Sequence, residues 1–60
     1  MKVKIKTLEK LVNEDEAMYL LSCQFRLCGK VADANITPLE LYIIDGLKWH
    51  PDWIEEVISA

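Results

Sequence analysis

Polar and apolar residues alternate without interruption over residues 2–6, Lys-Val-Lys-Ile-Lys. A period of two is typical of a β-strand that has one buried face. We therefore expect Val3 and Ile5 to point into a core and the three lysines to face water.

The spacing of apolar residues changes to three and four after this first strand. Leu8, Leu11 and Val12 predict a short amphipathic helix. Thr7 is a good N-cap for the helix. Asn13 is a suitable end, because asparagine tolerates the left-handed conformation.

A second helical pattern follows, in which apolar residues stand three and four positions apart: Ala17, Met18, Leu21, Phe25 and Cys28. The acidic residues 14–16 suit a helix N-terminus, and Gly29 is a natural C-terminal stop. We predict a helix over roughly residues 15–27. A strand over residues 19–27 is the competing interpretation.

The second half of the chain predicts strands. Residues 30–36 read as a strand of modest quality, and residues 39–44 as a stronger one. Thr37 and Pro38 separate the two, since proline cannot donate to a ladder and restrains the residue before it.

Asp45 and Gly46 predict a type I′ hairpin turn, because both residue types accept a positive φ. A short strand over residues 47–49 follows. Pro51 then suits the first position of a final helical segment, whose predicted apolar side consists of Trp53, Ile54, Val57 and Ile58.

The predicted order is β-α-α-β-β-β-α in a single domain, residues 1–60. Such an order belongs to the α+β class. We expect a small bent antiparallel sheet, with an SH3-like partial barrel as one way to build it.

Composition and charge change this picture in two ways. The chain has 60 residues, of which 52% are hydrophobic, and so small a domain buries only about 60% of its surface. An apolar patch covered by a second copy or a partner is one expected consequence, and scattered exposed apolar atoms are the other.

The net charge is −3 and is unevenly distributed. Four lysines lie within the first ten residues, and every charged residue after Lys48 is acidic. We expect these two ends to meet in the fold or across a dimer.

The number of cysteines and the pattern of the N-terminal residues indicate the cellular compartment. Two cysteines are too few for a secreted disulfide scaffold, and the chain begins with an alternating pattern that differs from a signal peptide. No apolar run approaches the roughly 20 residues that span a bilayer. We therefore expect a cytoplasmic protein with reduced thiols and no membrane contact.

The chain resembles a group of short, uncharacterised proteins encoded by phages and prophages of Gram-positive bacteria. The resemblance rests on the Lys-rich first strand, on Cys28-Gly29-Lys30, and on the residues from Trp49 to Trp53. It implies a small β-rich fold and a phage-type protein that binds and disables a host enzyme or defence protein. No catalytic residue carries over from it.

Two kinds of chemical site are conceivable in this sequence, and each has a simpler explanation. Cys23, Cys28 and His50 could ligate a metal, but structural zinc usually needs four ligands. We interpret the cysteines as small buried hydrophobes. His50 with Asp45 or Asp52 could support acid–base chemistry, but a chain of this size should not enclose a pocket of ~300 Å³ or more. We expect His50 to be an N-cap or surface residue, with no enzyme activity and no cofactor.

Trp49 and Trp53 are open to two interpretations. Large aromatics often fill a small core, which is the favoured interpretation. The alternative is that one of them is exposed and anchors a partner, as tryptophan does at interface hot spots. Tyr19 and Tyr42 are weaker candidates for that anchoring role.

Our first hypothesis is therefore a protein-binding module, expected to be a homodimer, that inhibits or redirects a host protein, for example in counter-defence. The predicted contact residues are Trp49, Trp53, Tyr42, Glu55 and Glu56.

Two further hypotheses stay open. The second is a nucleic-acid-binding accessory protein, for which the negative net charge is unfavourable. Its predicted contacts are Lys2, Lys4, Lys6 and Lys30. The third hypothesis is a structural or assembly role within a larger particle.

Overall fold

Six short strands form two three-stranded antiparallel sheets in a computed structural model, which describes residues 1–59. The first sheet has the order β2-β1-β6 and the second β3-β4-β5. The α+β class is therefore confirmed. The strands are β1 (Lys2–Ile5), β2 (Val31–Asp33), β3 (Asn35–Ile36), β4 (Tyr42–Ile44), β5 (Leu47–Trp49) and β6 (Ile54–Ser59).

Helical structure is short and mostly of the 3₁₀ type. The α-helix, α1, spans Leu8–Asn13 and is the one such helix among residues 1–59. Three 3₁₀ helices span Ala17–Tyr19, Ser22–Leu27 and Pro51–Trp53. Within the described residues, no helix has the length and apolar character needed to cross a membrane.

The first strand lies at the centre of its sheet, between β2 and β6. Val3 and Ile5 have no exposed surface, which confirms the inward face that the alternation predicts. Around them the core contains Leu11, Leu20, Ala34, Ile44, Trp49 and Trp53.

The first helix begins and ends where the sequence predicts, although its end is built differently. The Thr7 side chain accepts a hydrogen bond from Lys10 N at 3.2 Å. Beyond Asn13, the left-handed residue is Asp15, with φ 59°. Asp15 N donates to Val12 O at 3.1 Å and Glu16 N to Leu11 O at 2.8 Å, the paired bonds of a Schellman motif.

The predicted helix over residues 15–27 is wrong. Leu20 and Leu21 are both extended, with ψ 142° and 155°, and they separate two 3₁₀ helices. The apolar stripe behind the prediction includes Met18 and Phe25, which are exposed, whereas Leu20 and Gln24 are buried. Tertiary burial of those two residues decides the local conformation over the helical pattern.

Two of the predicted strands are shorter than expected. The strand predicted over residues 30–36 is divided at Ala34, where the chain leaves the first sheet for the second. Ala34 and Met1 are joined by two hydrogen bonds. Ala34 N donates to Met1 O, and the Met1 amino group donates to Ala34 O. The strand predicted over residues 39–44 includes a turn with Glu40 at φ 63°, so only Tyr42–Ile44 pairs.

The hairpin prediction is confirmed. Ile44 pairs with Leu47 across Asp45 and Gly46, whose φ angles are 54° and 77°. Two successive positive φ values are the requirement of a type I′ turn.

The predicted C-terminal helix is also wrong beyond its first turn, and the final element is a strand. Ile54 pairs with Ile5 and Val57 pairs with Val3, with register irregularities in between. A β-bulge adds one residue to a strand, so these two apolar residues stand three positions apart. That spacing resembles a helical pattern, which explains the error, and the predicted order β-α-α-β-β-β-α fails at the second and last helices.

Candidate functional site

A groove of about 510 Å³ opens to solvent beside the second sheet. We call it the aromatic groove, and its lining residues are Glu16, Tyr19, Leu41, Lys48, Trp49, His50, Asp52 and Trp53. They come from the first and third 3₁₀ helices with their N-cap residues, from β5 and from the β3–β4 connection. The groove is open rather than enclosed, so it does not test the expectation that a chain of this size encloses no pocket of ~300 Å³ or more.

Two tryptophans form the floor of the aromatic groove. Trp49 and Trp53 meet edge to face, with ring centroids 5.9 Å apart and an interplanar angle of 81°. Trp49 Nε1 donates to Ile44 O at 3.3 Å. Trp49 has no exposed surface and Trp53 only 8%. The core interpretation of both residues is correct, and Trp49 has no surface to offer a partner in this conformation.

One side of the groove carries the carboxylate of Glu16. The Schellman motif at the end of α1 fixes the Glu16 backbone. Its Oε2 accepts a hydrogen bond from Trp53 Nε1 at 3.0 Å. Among the described residues, no cationic group lies within 4.0 Å of this half-buried carboxylate. Glu16 therefore brings a negative charge to the groove without a partner cation from the same chain.

The accessible apolar surface comes from two other residues. Tyr19 is 65% exposed, and Leu41 is half-buried. A closed turn positions Leu41: Thr37 N donates to Leu41 O at 2.8 Å, and Leu41 N donates to Thr37 Oγ1 at 3.1 Å. The groove thus has both an apolar side chain on a hydrogen-bonded turn and an exposed aromatic ring in its lining.

His50 and Asp52 lie at the rim. His50 Nδ1 accepts a hydrogen bond from Asp52 N at 3.1 Å, which confirms His50 as the N-cap of the third 3₁₀ helix. The Asp52 carboxylate lies 3.5 Å from the same nitrogen. Both side chains are exposed, and the imidazole centroid lies 6.0 Å from that of Trp53.

The other predicted contact residues lie outside the groove. Tyr42 pairs with Trp49 across the β4–β5 ladder and is half-buried. Glu55 lies on β6 and binds Lys10 at 2.7 Å, while Glu56 lies opposite Lys4. The structure therefore brings Trp49 and Trp53 together but does not place the two glutamates beside them.

The basic start and the acidic end of the chain do meet within the fold. The hydrogen bond from Lys10 holds the pKa of Glu55 below its usual value, and the same contact raises the pKa of Lys10. Lys6 binds Glu14 at 2.8 Å. Of the four lysines proposed for nucleic-acid binding, Lys6 is neutralised by a salt bridge, and only Lys2 and Lys30 are fully exposed.

The cysteines do not share one environment. Cys23 is exposed, against the expectation of burial, and Cys28 is half-buried with its pKa raised by that burial. Within residues 1–59, no cluster of three or more His, Cys, Asp or Glu side chains could hold a metal ion.

No protein family, curated protein or solved structure matches the chain. The resemblance to phage-encoded proteins therefore stays a prediction.

Sequence reasoning missed part of the groove. Tyr19 was the weaker aromatic candidate, yet it is the most exposed aromatic side chain in the groove. Glu16 was interpreted only as part of a helix start, and Leu41 as part of a strand. No local signal in the sequence points to Glu16, because its contact with Trp53 spans 37 residues of chain.

Proposed function

We propose that this protein is a protein-binding module that uses the aromatic groove and performs no catalysis of its own. The observation that carries the proposal is the groove itself, in which an exposed tyrosine and an unneutralised carboxylate stand over two buried indoles. Aromatic side chains with a fixed polar group are what interface hot spots use. In the described chain, no serine, threonine or cysteine lines the groove, which favours binding over nucleophilic catalysis.

The proposed partner is a host protein, which the module inhibits or redirects in a phage-type setting such as counter-defence. The support for this part is the resemblance of the Lys-rich strand, the Cys-Gly-Lys segment and the Trp-containing turn. We also propose that the two sheets form an SH3-like partial barrel, since the chain passes directly from β2 to β3 through Ala34 and joins them.

A homodimer remains part of the proposal. Its support is the amount of apolar side chain at the surface: Leu39, Val57 and Ile58 are all between 48% and 82% exposed. Such a surface on so small a domain is often covered by another chain. Size-exclusion chromatography with light scattering distinguishes a dimer from a monomer, and a monomer at all concentrations contradicts this part.

The test of protein binding is capture from a host-cell lysate followed by mass spectrometry. The full chain is compared with Tyr19→Ala, which removes the exposed ring of the groove. The matched control is Met18→Ala, because Met18 is 74% exposed and adjacent but does not line the groove. We expect a partner that the unaltered chain and Met18→Ala retain and Tyr19→Ala loses. Equal capture by all three, or none, contradicts the proposal.

A further inference from the structure

We infer that the aromatic groove recognises an extended peptide segment in which an arginine stands next to an aliphatic residue. This inference rests on the proposed function and adds the chemistry of the ligand. It rests on the charge of Glu16, the exposed ring of Tyr19 and the apolar side chain of Leu41, which all line the groove.

The charge is that of Glu16. Its Oε2 is already taken by Trp53 Nε1 at 3.0 Å, while among the described residues no buried side-chain oxygen lacks a hydrogen-bond partner. The remaining oxygen, which accepts no hydrogen bond from another described residue, therefore reaches solvent. A half-buried carboxylate that is held in place and lacks a cation offers a charge-assisted contact at little cost in ordering.

An exposed ring favours a cation over a neutral donor. Tyr19 presents aromatic surface to the groove, and cations are attracted to the faces of such rings. Asp52 adds a second negative charge at the rim. Lys48 is the one lysine of the lining, so the groove keeps an excess of negative charge, in a chain of net charge −3.

Arginine fits better than lysine for a geometric reason. The guanidinium group is planar, so it can stack on the exposed phenol ring of Tyr19 while its N–H groups point to a carboxylate. The half-buried Leu41 then offers a place for an aliphatic neighbour in the same segment. The inferred occupant is therefore a short peptide, with the cation near Glu16 and the aliphatic side chain near Leu41.

The experiment selects ligands without assuming a partner. The immobilised full chain is panned against a displayed library of random dodecapeptides, beside Glu16→Gln and the control Glu9→Gln. Glutamine at position 16 keeps an oxygen for Trp53 but removes the charge and replaces the second oxygen with an amide N–H donor. Glu9 lies on α1, exposed and away from the groove, so its variant makes the same chemical change elsewhere.

We expect the unaltered chain and Glu9→Gln to enrich peptides with an arginine beside an aliphatic residue, and Glu16→Gln to lose that preference. An enriched peptide is then synthesised with arginine or with citrulline, its uncharged analogue. Citrulline should weaken binding to the unaltered chain by about tenfold, and the loss should be much smaller with Glu16→Gln. Binding should also shift the indole N–H resonance of Trp53.

The failures are distinguishable. Enriched peptides without a cationic residue, or equal binding of the arginine and citrulline forms, overturn this inference and leave the groove a protein-binding site. The absence of any enriched peptide overturns the inference and also counts against the proposed function.

Discussion

Trp53 Nε1 donates a hydrogen bond to Glu16 Oε2 at 3.0 Å, across 37 residues of chain. This one contact joins the segment after α1 to the third 3₁₀ helix. It orients the carboxylate of the aromatic groove and satisfies the buried indole. The shape of the groove and the stability of the fold therefore depend on the same pair.

Replacing the tryptophan should cost stability. Trp53→Phe removes the indole N–H and part of a buried ring, so we expect the free energy of unfolding to fall by about 1–3 kcal/mol. Urea unfolding followed by Trp49 fluorescence measures this. Glu16→Gln, which keeps the acceptor oxygen, should cost less than Trp53→Phe. A Trp53→Phe variant as stable as the unaltered chain would show that the contact does not support the fold.

Gln24 should be among the most sensitive polar positions. It is 2% exposed, its Oε1 accepts from Leu21 N at 2.8 Å, and its Nε2 donates to Lys48 O at 3.1 Å. Gln24→Met keeps the length of the side chain and leaves both backbone groups without this partner. We expect a loss of about 1–3 kcal/mol in urea unfolding. The exposed neighbour Cys23, changed to serine, is the control and should unfold at the same urea concentration as the unaltered chain.

The end of α1 offers a stabilising change. Asp15 holds φ 59°, a conformation that costs an L-residue energy and that glycine adopts freely. Asp15→Gly should raise the free energy of unfolding by about 0.5–1 kcal/mol. Asn13→Gly, two residues earlier and inside the helix, should not stabilise. The opposite ranking in thermal or urea unfolding would place the left-handed residue at Asn13, as the sequence suggested.

The contact between Lys10 and Glu55 predicts a pH dependence with a definite sign. The hydrogen bond from Lys10 lowers the pKa of Glu55 from its ordinary value of 4.5. The folded state is therefore stabilised above pH 4.5, and this contribution is lost as the pH falls through the lowered pKa. The effect should be small, since the pair is exposed and is screened by salt.

Urea midpoints of the unaltered chain and Glu55→Gln, measured from pH 7 to pH 2, check this expectation. The variant should be slightly less stable at neutral pH, and the two curves should converge in acid. A difference that grows as the pH falls would be inconsistent with the lowered pKa.

Sequence patterns predicted the elements whose structure depends on neighbours in the chain. The alternation around Val3 and Ile5, the Thr7 cap and the turn at Asp45 and Gly46 are all local, and all are confirmed. Each is decided by a period or by a backbone preference that one residue type satisfies.

The wrong predictions share a different cause, which is pairing with distant residues. The bulges of β6 exist only against β1, and they turn a strand into an apparent helical pattern at Ile54 and Val57. Gln24 is buried only because β5 supplies the Lys48 carbonyl. The groove could not be predicted for the same reason. Glu16 and Trp53 are 37 residues apart in the chain, and no local pattern indicates their contact.

Site-specific photo-crosslinking tests the central claim, that the aromatic groove binds another protein, most directly. Benzoylphenylalanine replaces Tyr19 in one version of the full chain and Val31 in another. Val31 is a comparably exposed residue on β2, outside the groove. After irradiation in host-cell lysate, we predict one discrete adduct from position 19 and none of the same mass from position 31. The same adduct from both positions, or no adduct from position 19, would contradict the claim.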